Sequence, residues 1–203
     1  VLNKPTKLLS VATDKLENDT LHSRVVNYLK SKEKSAWAWI IHRLDKETSG
    51  IMLFAKNEKT KLAIQKQFSE KSVRRKYIGI VEGKPYANKG VIENYLVEGK
   101  DLFVRECKKS TKGAKIAKTN WKILETNHNY SLIEIFIETG RRNQIRVHFS
   151  GIKCPISGDK KYGSKTNPLK RLCLHAEEIS IIHPKTSQES TFYVSNPFNK
   201  IFN

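Results

Sequence analysis

Apolar residues recur at helical spacing in only three places along this chain. Leu21, Val25, Val26 and Leu29 share one face, and Asp19 or Thr20 can cap it, so a helix is predicted over 21–29. Leu62, Ala63, Ile64 and Phe68 predict a second helix over 60–68, and 144–150 predicts a short third one ended by Gly151. Elsewhere the period is two. Tyr77, Gly79 and Val81 alternate with Ile78 and Ile80; Trp121, Ile123 and Glu125 alternate with Lys122 and Leu124; residues 132–137 alternate around Glu134. Residues 51–55 form a continuous apolar run and predict one buried strand. Residues 179–182 and 189–194 predict a hairpin around Pro184-Lys185-Thr186-Ser187. Strands outnumber helices and come in consecutive groups. That pattern predicts an α+β fold with a largely antiparallel sheet, not an alternating β-α-β one.

Two stretches break the pattern. Residues 98–118 and 164–171 carry many lysines and few apolar side chains, and are expected to be mobile solvated loops whose cations are available to phosphates. There is no internal repeat and no low-complexity tract. A length of 203 residues suits one domain, 1–203, with a substantial core. The chain begins at Val1, inside what reads as a first strand, which leaves room for a segment ahead of it; no separate RNA-binding domain is seen within it.

Charge changes the picture. There are 38 Lys and Arg against 20 Asp and Glu, a net +18, and the isoelectric point is near 9.8. A domain this basic points to a polyanionic partner, nucleic acid first. A membrane surface is the competing target, but no amphipathic stretch rich in Trp or Leu supports it. Cys107, Cys154 and Cys173 are odd in number and none lies in a Cys-x-x-Cys pair. A disulfide framework is therefore not expected and a reducing compartment is, with the cytoplasm as the expected location and a monomer as the expected state. No secretion signal or membrane-length apolar run is present in the sequence.

The most informative run is His42-Arg43-Leu44-Asp45-Lys46-Glu47-Thr48-Ser49-Gly50, followed by Ile51-Met52-Leu53-Phe54-Ala55-Lys56. It sets one carboxylate, Asp45, on a tight turn beside an arginine and ahead of a buried strand. That placement suits a nucleophile or base, and equally an Asx-turn or helix cap. His42, Asp45 and Glu47 lie at mixed spacing within one turn and make no metal-ligand pattern. Three further runs accompany it. They are Arg75-Lys76-Tyr77-Ile78-Gly79-Ile80-Val81-Glu82-Gly83, then Gly140-Arg141-Arg142-Asn143-Gln144-Ile145-Arg146-Val147-His148-Phe149 with 155–163, and Leu172-Cys173-Leu174-His175-Ala176 with 183–186.

Together, and in this order, these runs resemble the motifs of the RluA-type pseudouridine synthases, and Asn3-Lys4-Pro5 matches the family's first strand and turn. The resemblance spans essentially the whole chain. It implies a long mixed sheet, mostly antiparallel, with flanking helices and a central RNA-binding cleft. It also implies isomerisation of uridines in ribosomal or transfer RNA stem-loops, with no cofactor, metal or protein partner. Asp45 takes the catalytic position. Tyr77 takes the place of the aromatic against the uracil face, as a stacking platform or in proton removal at carbon 5. Arg146 takes that of the arginine paired with the aspartate. Arg43 is then left to contact RNA or fill the space of an extruded nucleotide, and Leu174 packs beside the base or simply in the core. Lys56, Lys76, Arg141 and Arg142, cations inside these motifs, are read as RNA contacts. His148 and His175 read as structural hydrogen-bonding residues.

The third motif departs from the usual Gly-Arg-Thr-His-Gln. Arg142-Asn143 replaces its hydroxyl and imidazole. Gly79-Ile80-Val81 likewise replaces the more usual Ala-Leu-Val. An RNA-binding assembly factor that keeps the fold without catalysis, and a base-excising glycosylase, are the two other functions this constellation fits.

Overall fold

The computed structural model describes residues 1–13, 15–198 and 201–202. In chain order the elements are β1 (Leu2–Lys4), α1 (Leu21–Lys32), β2 (Trp39–Ile40), β3 (Ser49–Met52), β4 (Phe54–Ala55), α2 (Glu58–Ser69) and β5 (Arg74–Glu82). There follow β6 (Lys89–Glu98), β7 (Val104–Cys107), β8 (Lys115–Thr126), β9 (Tyr130–Ile137), α3 (Gln144–Gly151), a single 3-10 turn (Lys160–Tyr162), β10 (Leu174–Ile182) and β11 (Glu189–Tyr193). The chain divides into two compact units, Val1–Arg74 with Ala176–Ser195 and Arg75–His175 with Asn196–Asn203. No described helix is long and apolar enough to cross a membrane.

In the first unit, α1 starts where a capping box forms. The Ser23 N–H donates to the Thr20 hydroxyl at 3.0 Å, and the Thr20 N–H donates to the Ser23 hydroxyl at 2.9 Å, which satisfies two N–H groups the helix cannot pair itself. Asn57 caps α2 through its side chain. The run 51–55 is not one strand. It breaks at Leu53, so that β3 pairs with β1 and β4 pairs with β2 in a separate sheet. At the break, the Leu53 N–H donates to Nε2 of His42 at 3.1 Å, so no backbone donor is left behind. β3 lies between β1 and β10, and β11 pairs along β10 as the predicted hairpin. Ile41, Ile51, Leu53, Ala55, Ile64, Val73, Ile179 and Ile181 form its core. Gly50 is required here: its φ is +117°, and a Cβ would lie 2.2 Å from the Ala176 carbonyl oxygen.

The second unit is an antiparallel meander in the order β5-β9-β8-β6-β7. β9 alternates cleanly, burying Ser131, Ile133, Ile135 and Ile137. Leu96, Val104, Ala117, Val147 and Tyr162 form a cluster beneath α3.

The first of the two expected loops needs correction. Residues 98–118 hold the end of β6, all of β7 and the start of β8. Their lysines hid the pattern because only Val104 and Ala117 are fully buried there, with Phe103 packed beside them, and β7 is secured by pairing Glu98 with Val104. Residues 164–171 are a loop, but a tethered one. The Glu82 carboxylate accepts from the Ser164 hydroxyl at 2.6 Å, the Thr166 hydroxyl at 2.6 Å, and the N–H groups of Lys165 and Thr166 at 2.9 and 2.7 Å. Burial alone would raise the Glu82 pKa, but these donors together hold it below the usual value.

Candidate active-site residues and their supports

In the first unit, Asp45 sits half-buried in the irregular segment between β2 and β3. The backbone on both sides of it is fixed from the β1 side of the chain. The Ser10 hydroxyl donates to the Leu44 carbonyl at 2.6 Å and accepts from the Leu44 N–H at 3.1 Å. The Thr6 hydroxyl donates to the Glu47 carbonyl at 2.8 Å. Lys4 is 0% exposed. Its ammonium donates to the carbonyls of Leu8 at 2.7 Å, Pro5 at 2.9 Å and Lys46 at 3.0 Å. Three carbonyl dipoles thus stand in for the water this cation has lost. The turn itself closes through the Asp45 backbone, whose carbonyl accepts from the Thr48 N–H at 3.1 Å.

This support yields a prediction. Lys4→Met leaves the Leu8, Pro5 and Lys46 carbonyls without their donor and should destabilise the fold by about 2–3 kcal/mol. Urea unfolding measures it; a loss under about 0.5 kcal/mol would mean that Ser10 and Thr6 hold the loop alone.

Arg43 and Lys56 are exposed in this unit. His42 is a support: besides accepting from Leu53, its ring stacks on Phe68 at 5.2 Å.

In the second unit, Tyr77 lies on β5 opposite Ile135, with Lys76 opposite Phe136. Tyr77 is 8% and Leu174 3% exposed. Arg146 projects from α3, a helix whose residues from Gln144 to Phe149 are all buried. Its guanidinium is gripped by Asp159, Nε at 2.6 Å and Nη2 at 2.7 Å. The geometry is the bidentate fork that suits arginine and not lysine. Nη1 donates to Oδ1 of Asn143 at 3.0 Å, and the guanidinium lies over the Tyr162 ring at 4.9 Å. The Tyr162 hydroxyl in turn accepts from Asn143 at 3.0 Å. Burial pushes the Tyr162 phenol above its ordinary pKa, so at neutral pH it is an uncharged ring beneath the cation.

Asn143 joins Arg146 to Tyr162 with both ends of its amide. It does so from a left-handed backbone, φ 52° and ψ 17°, a conformation that asparagine tolerates better than most residues. Arg142 points elsewhere and forms an ion pair with Glu98. Nε of Arg141 donates to the Ile116 carbonyl at 2.9 Å; both arginines are exposed.

Two further polar residues support α3. Gln144 accepts from the Thr139 hydroxyl at 2.7 Å and the Arg141 N–H at 3.1 Å, and donates to Lys118 O and the Thr119 hydroxyl, each at 3.0 Å. His148 bridges the Thr119 hydroxyl and Asn94, each at 2.9 Å. Burial pushes its imidazole down to about 4. The folded protein thus keeps the ring neutral while the unfolded chain binds a proton near pH ~6.5. Its contribution to stability is complete above that pH, declines as the pH falls toward 4, and amounts to about 3 kcal/mol. In urea titrations His148→Gln should flatten this part of the pH profile; an unchanged slope would assign the dependence to another group.

Asp159, Asn143, Gln144 and Tyr162 were all inside the matched runs, but nothing in their spacing marks them as partners of Arg146. A buried arginine on an apolar helix demands a carboxylate, and only the fold shows which one. Among the described residues no three His, Cys, Asp or Glu side chains gather as a metal-ligand cluster.

Comparison with known proteins fits these motifs. The family profile described as RNA pseudouridylate synthase matches residues 1–151. The chain is 34% identical over 202 residues to ribosomal large subunit pseudouridine synthase C of Rickettsia typhi (strain ATCC VR-144 / Wilmington), covering 97% of this chain and 65% of that protein. It is 30% identical over 190 residues to the uncharacterized RNA pseudouridine synthase YhcT of Bacillus subtilis (strain 168), covering 93% and 62% respectively. It thus spans a little under two thirds of the length of these relatives. Among solved structures, human RNA pseudouridylate synthase domain containing 4 superposes with a TM-score of 0.81 at 25% identity, over 98% of this chain and 86% of that one. Human RNA pseudouridylate synthase domain containing 1 shares the fold, with a TM-score of 0.75 at 22% identity over 98% and 81%. From a profile match covering most of the chain, and relatives aligned along nearly all of it, it follows that this chain belongs to the RNA pseudouridylate synthase family.

Proposed function

We propose that the chain converts specific uridines of structured RNA to pseudouridine, with Asp45 as the acting carboxylate. The observation that carries this reading is the Asp45 segment. Leu44, Lys46 and Glu47 are each fixed through the backbone by Ser10, Lys4 and Thr6, which leaves one positioned carboxylate on a rigid support. The reaction breaks the bond between ribose C1′ and uracil N1, turns the base, and joins C1′ to C5. The proton on C5 leaves to solvent and N1 takes one up, so the product is an isomer of the substrate. No electron pair is lost or gained, and the reading includes no cofactor.

An aspartate with its ordinary pKa near 4 is ionised at neutral pH. It can add to C1′, add to C6 of the base, or assist elimination to a glycal. Each route needs the charged carboxylate. In this reading Arg146 is the cation that favours that charge, and Asp159, Asn143 and Tyr162 hold its guanidinium in one orientation. The Tyr77 ring is the platform for the extruded base. The +18 charge supplies phosphate contacts that position RNA without reading its sequence. The Rickettsia relative carries large-subunit ribosomal RNA in its name, which makes that RNA the first substrate class to try, with transfer RNA second.

Tritium release tests this. RNA labelled at uridine C5 is offered as separate ribosomal and transfer pools. Release from one pool is expected. Binding to both without release, or release of free uracil, would overturn the proposal in favour of an assembly factor or a glycosylase.

A further inference from the structure

We propose that the cleft between the C-terminal end of α1 and the β2–β4 sheet is an accessory site for single-stranded RNA, where Trp37 stacks on an unpaired base and lysines hold the flanking phosphates. The inference rests on the reading of RNA as substrate and extends it to a surface that meets the Asp45 motif only at Lys56. The cleft has a volume of about 460 Å³, and Leu29, Lys32, Trp37, Trp39, Lys56 and Asn57 line it.

Aromatic residues are presented to solvent here. Trp37 is 42% exposed and Tyr28, on α1, is 64% exposed, whereas Trp121 in the second unit is 3% exposed. Trp37 is also held in place. The His22 ring meets it edge-on at 5.5 Å, and His22 is itself fixed by the Ala38 carbonyl at 2.9 Å and by stacking on Phe54 at 6.1 Å. A rigid, half-exposed indole loses little freedom when a base lands on it.

Each ring carries a lysine. Lys30 lies 5.2 Å from the Trp37 centroid, Lys61 5.2 Å from that of Trp39, and Lys32 5.9 Å from that of Tyr28. Interleaved π-faces and cations suit a polyanion with unstacked bases, because every base offers a face and every linkage a charge. Glu33 and Glu58 also line the cleft. Lys30, Lys32 and Lys61 over the rings and Lys56 on the lining stand against these two carboxylates, so lysine charge prevails around the rings. Trp39 leads directly into the Asp45 segment along the chain, and Lys56 belongs to the same motif. Lys56, on the cleft lining, therefore joins the cleft to that motif.

Nitrogen-15 labelling of the indoles tests this in the whole protein, with a short oligouridylate as probe and dextran sulfate as a polyanion without bases. The Trp37 indole resonance should shift with oligouridylate, the Trp121 resonance should not, and dextran sulfate should leave Trp37 nearly unmoved. An equal response to both polymers would reduce the cleft to charge alone and overturn the stacking. In tritium release from ribosomal RNA, Trp37→Ala should raise KM about tenfold and keep kcat. Lys30→Gln combined with Lys32→Gln, which leaves the rings intact, should raise KM in the same direction. An active protein whose Trp37 resonance and KM stay constant would overturn the accessory site while leaving the isomerase reading intact. A Trp37 shift in a protein that releases no tritium would do the reverse.

Discussion

Asp45→Asn is expected to lower tritium release from C5-labelled RNA by about 10⁴-fold or more, with RNA affinity and stability close to those of the parent. The amide matches the carboxylate in size and keeps its polarity, but it carries no charge and is a poor nucleophile, which places the loss in chemistry. The fold should tolerate the change because the segment is secured through backbone groups. Ser10 binds Leu44, Lys4 binds the Lys46 carbonyl, Thr6 binds Glu47, and the Asp45 carbonyl closes the turn onto Thr48. A stability change beyond about 1 kcal/mol is not expected. Parent and variant are compared by single-turnover tritium release, filter binding of the same RNA, and urea unfolding. Release within tenfold of the parent, with binding intact, would remove Asp45 from the chemistry.

The contrast between the Asp45 segment and its supports shows what the sequence carries and what it hides. Local periodicity located α1 and α2 to within a few residues, because each turns one apolar face inward and carries a cap, Thr20 or Asn57; α3, buried from Gln144 to Phe149, was marked by its end at Gly151. Alternation located β5, β8 and β9 for the corresponding reason. The run 51–55 read as one strand because period alone cannot tell where a chain leaves one sheet for another; the split at Leu53 is set by the partners β1 and β2. β6 and β7 were missed because each buries only one residue, Leu96 and Val104, and their identity as strands comes from each other and from β8. Candidate site residues with a motif around them were legible. Lys4 was quoted only as part of a strand and turn, and its role as a buried donor to three carbonyls depends on loops that meet only in the fold. Asn143 looked like a departure from the family pattern. Its amide instead ties Arg146 to Tyr162, which weakens the case that the substitution marks a lost activity.

Asp159→Ala should be the most destabilising single change, at about 3–5 kcal/mol. Arg146 is 8% exposed and Asp159 2%, and the two meet through paired hydrogen bonds of 2.6 and 2.7 Å. Truncating the carboxylate removes both of these bonds from a guanidinium inside the protein, and water cannot make up the difference. The same truncation removes the 3.3 Å bond from the Tyr162 N–H to the Asp159 carboxylate, which leaves the 3-10 turn beneath the arginine held through the Asp159 carbonyl at 3.1 Å. An exposed pair such as Arg142 with Glu98 has no comparable leverage, since water and salt compete for it. Two results would identify burial as the cause. The loss on Asp159→Ala should hardly change between low and high salt, because ions do not screen a buried pair. Arg146→Met combined with Asp159→Leu should recover most of the lost stability, because replacing both charges by apolar groups removes the desolvation cost together with the attraction. That double variant should still release no tritium, because it lacks the cation assigned to the aspartate. If Asp159→Ala instead cost under about 1 kcal/mol, or its effect vanished in high salt, the pair would be solvated in solution and Arg146 would not be held in a single orientation.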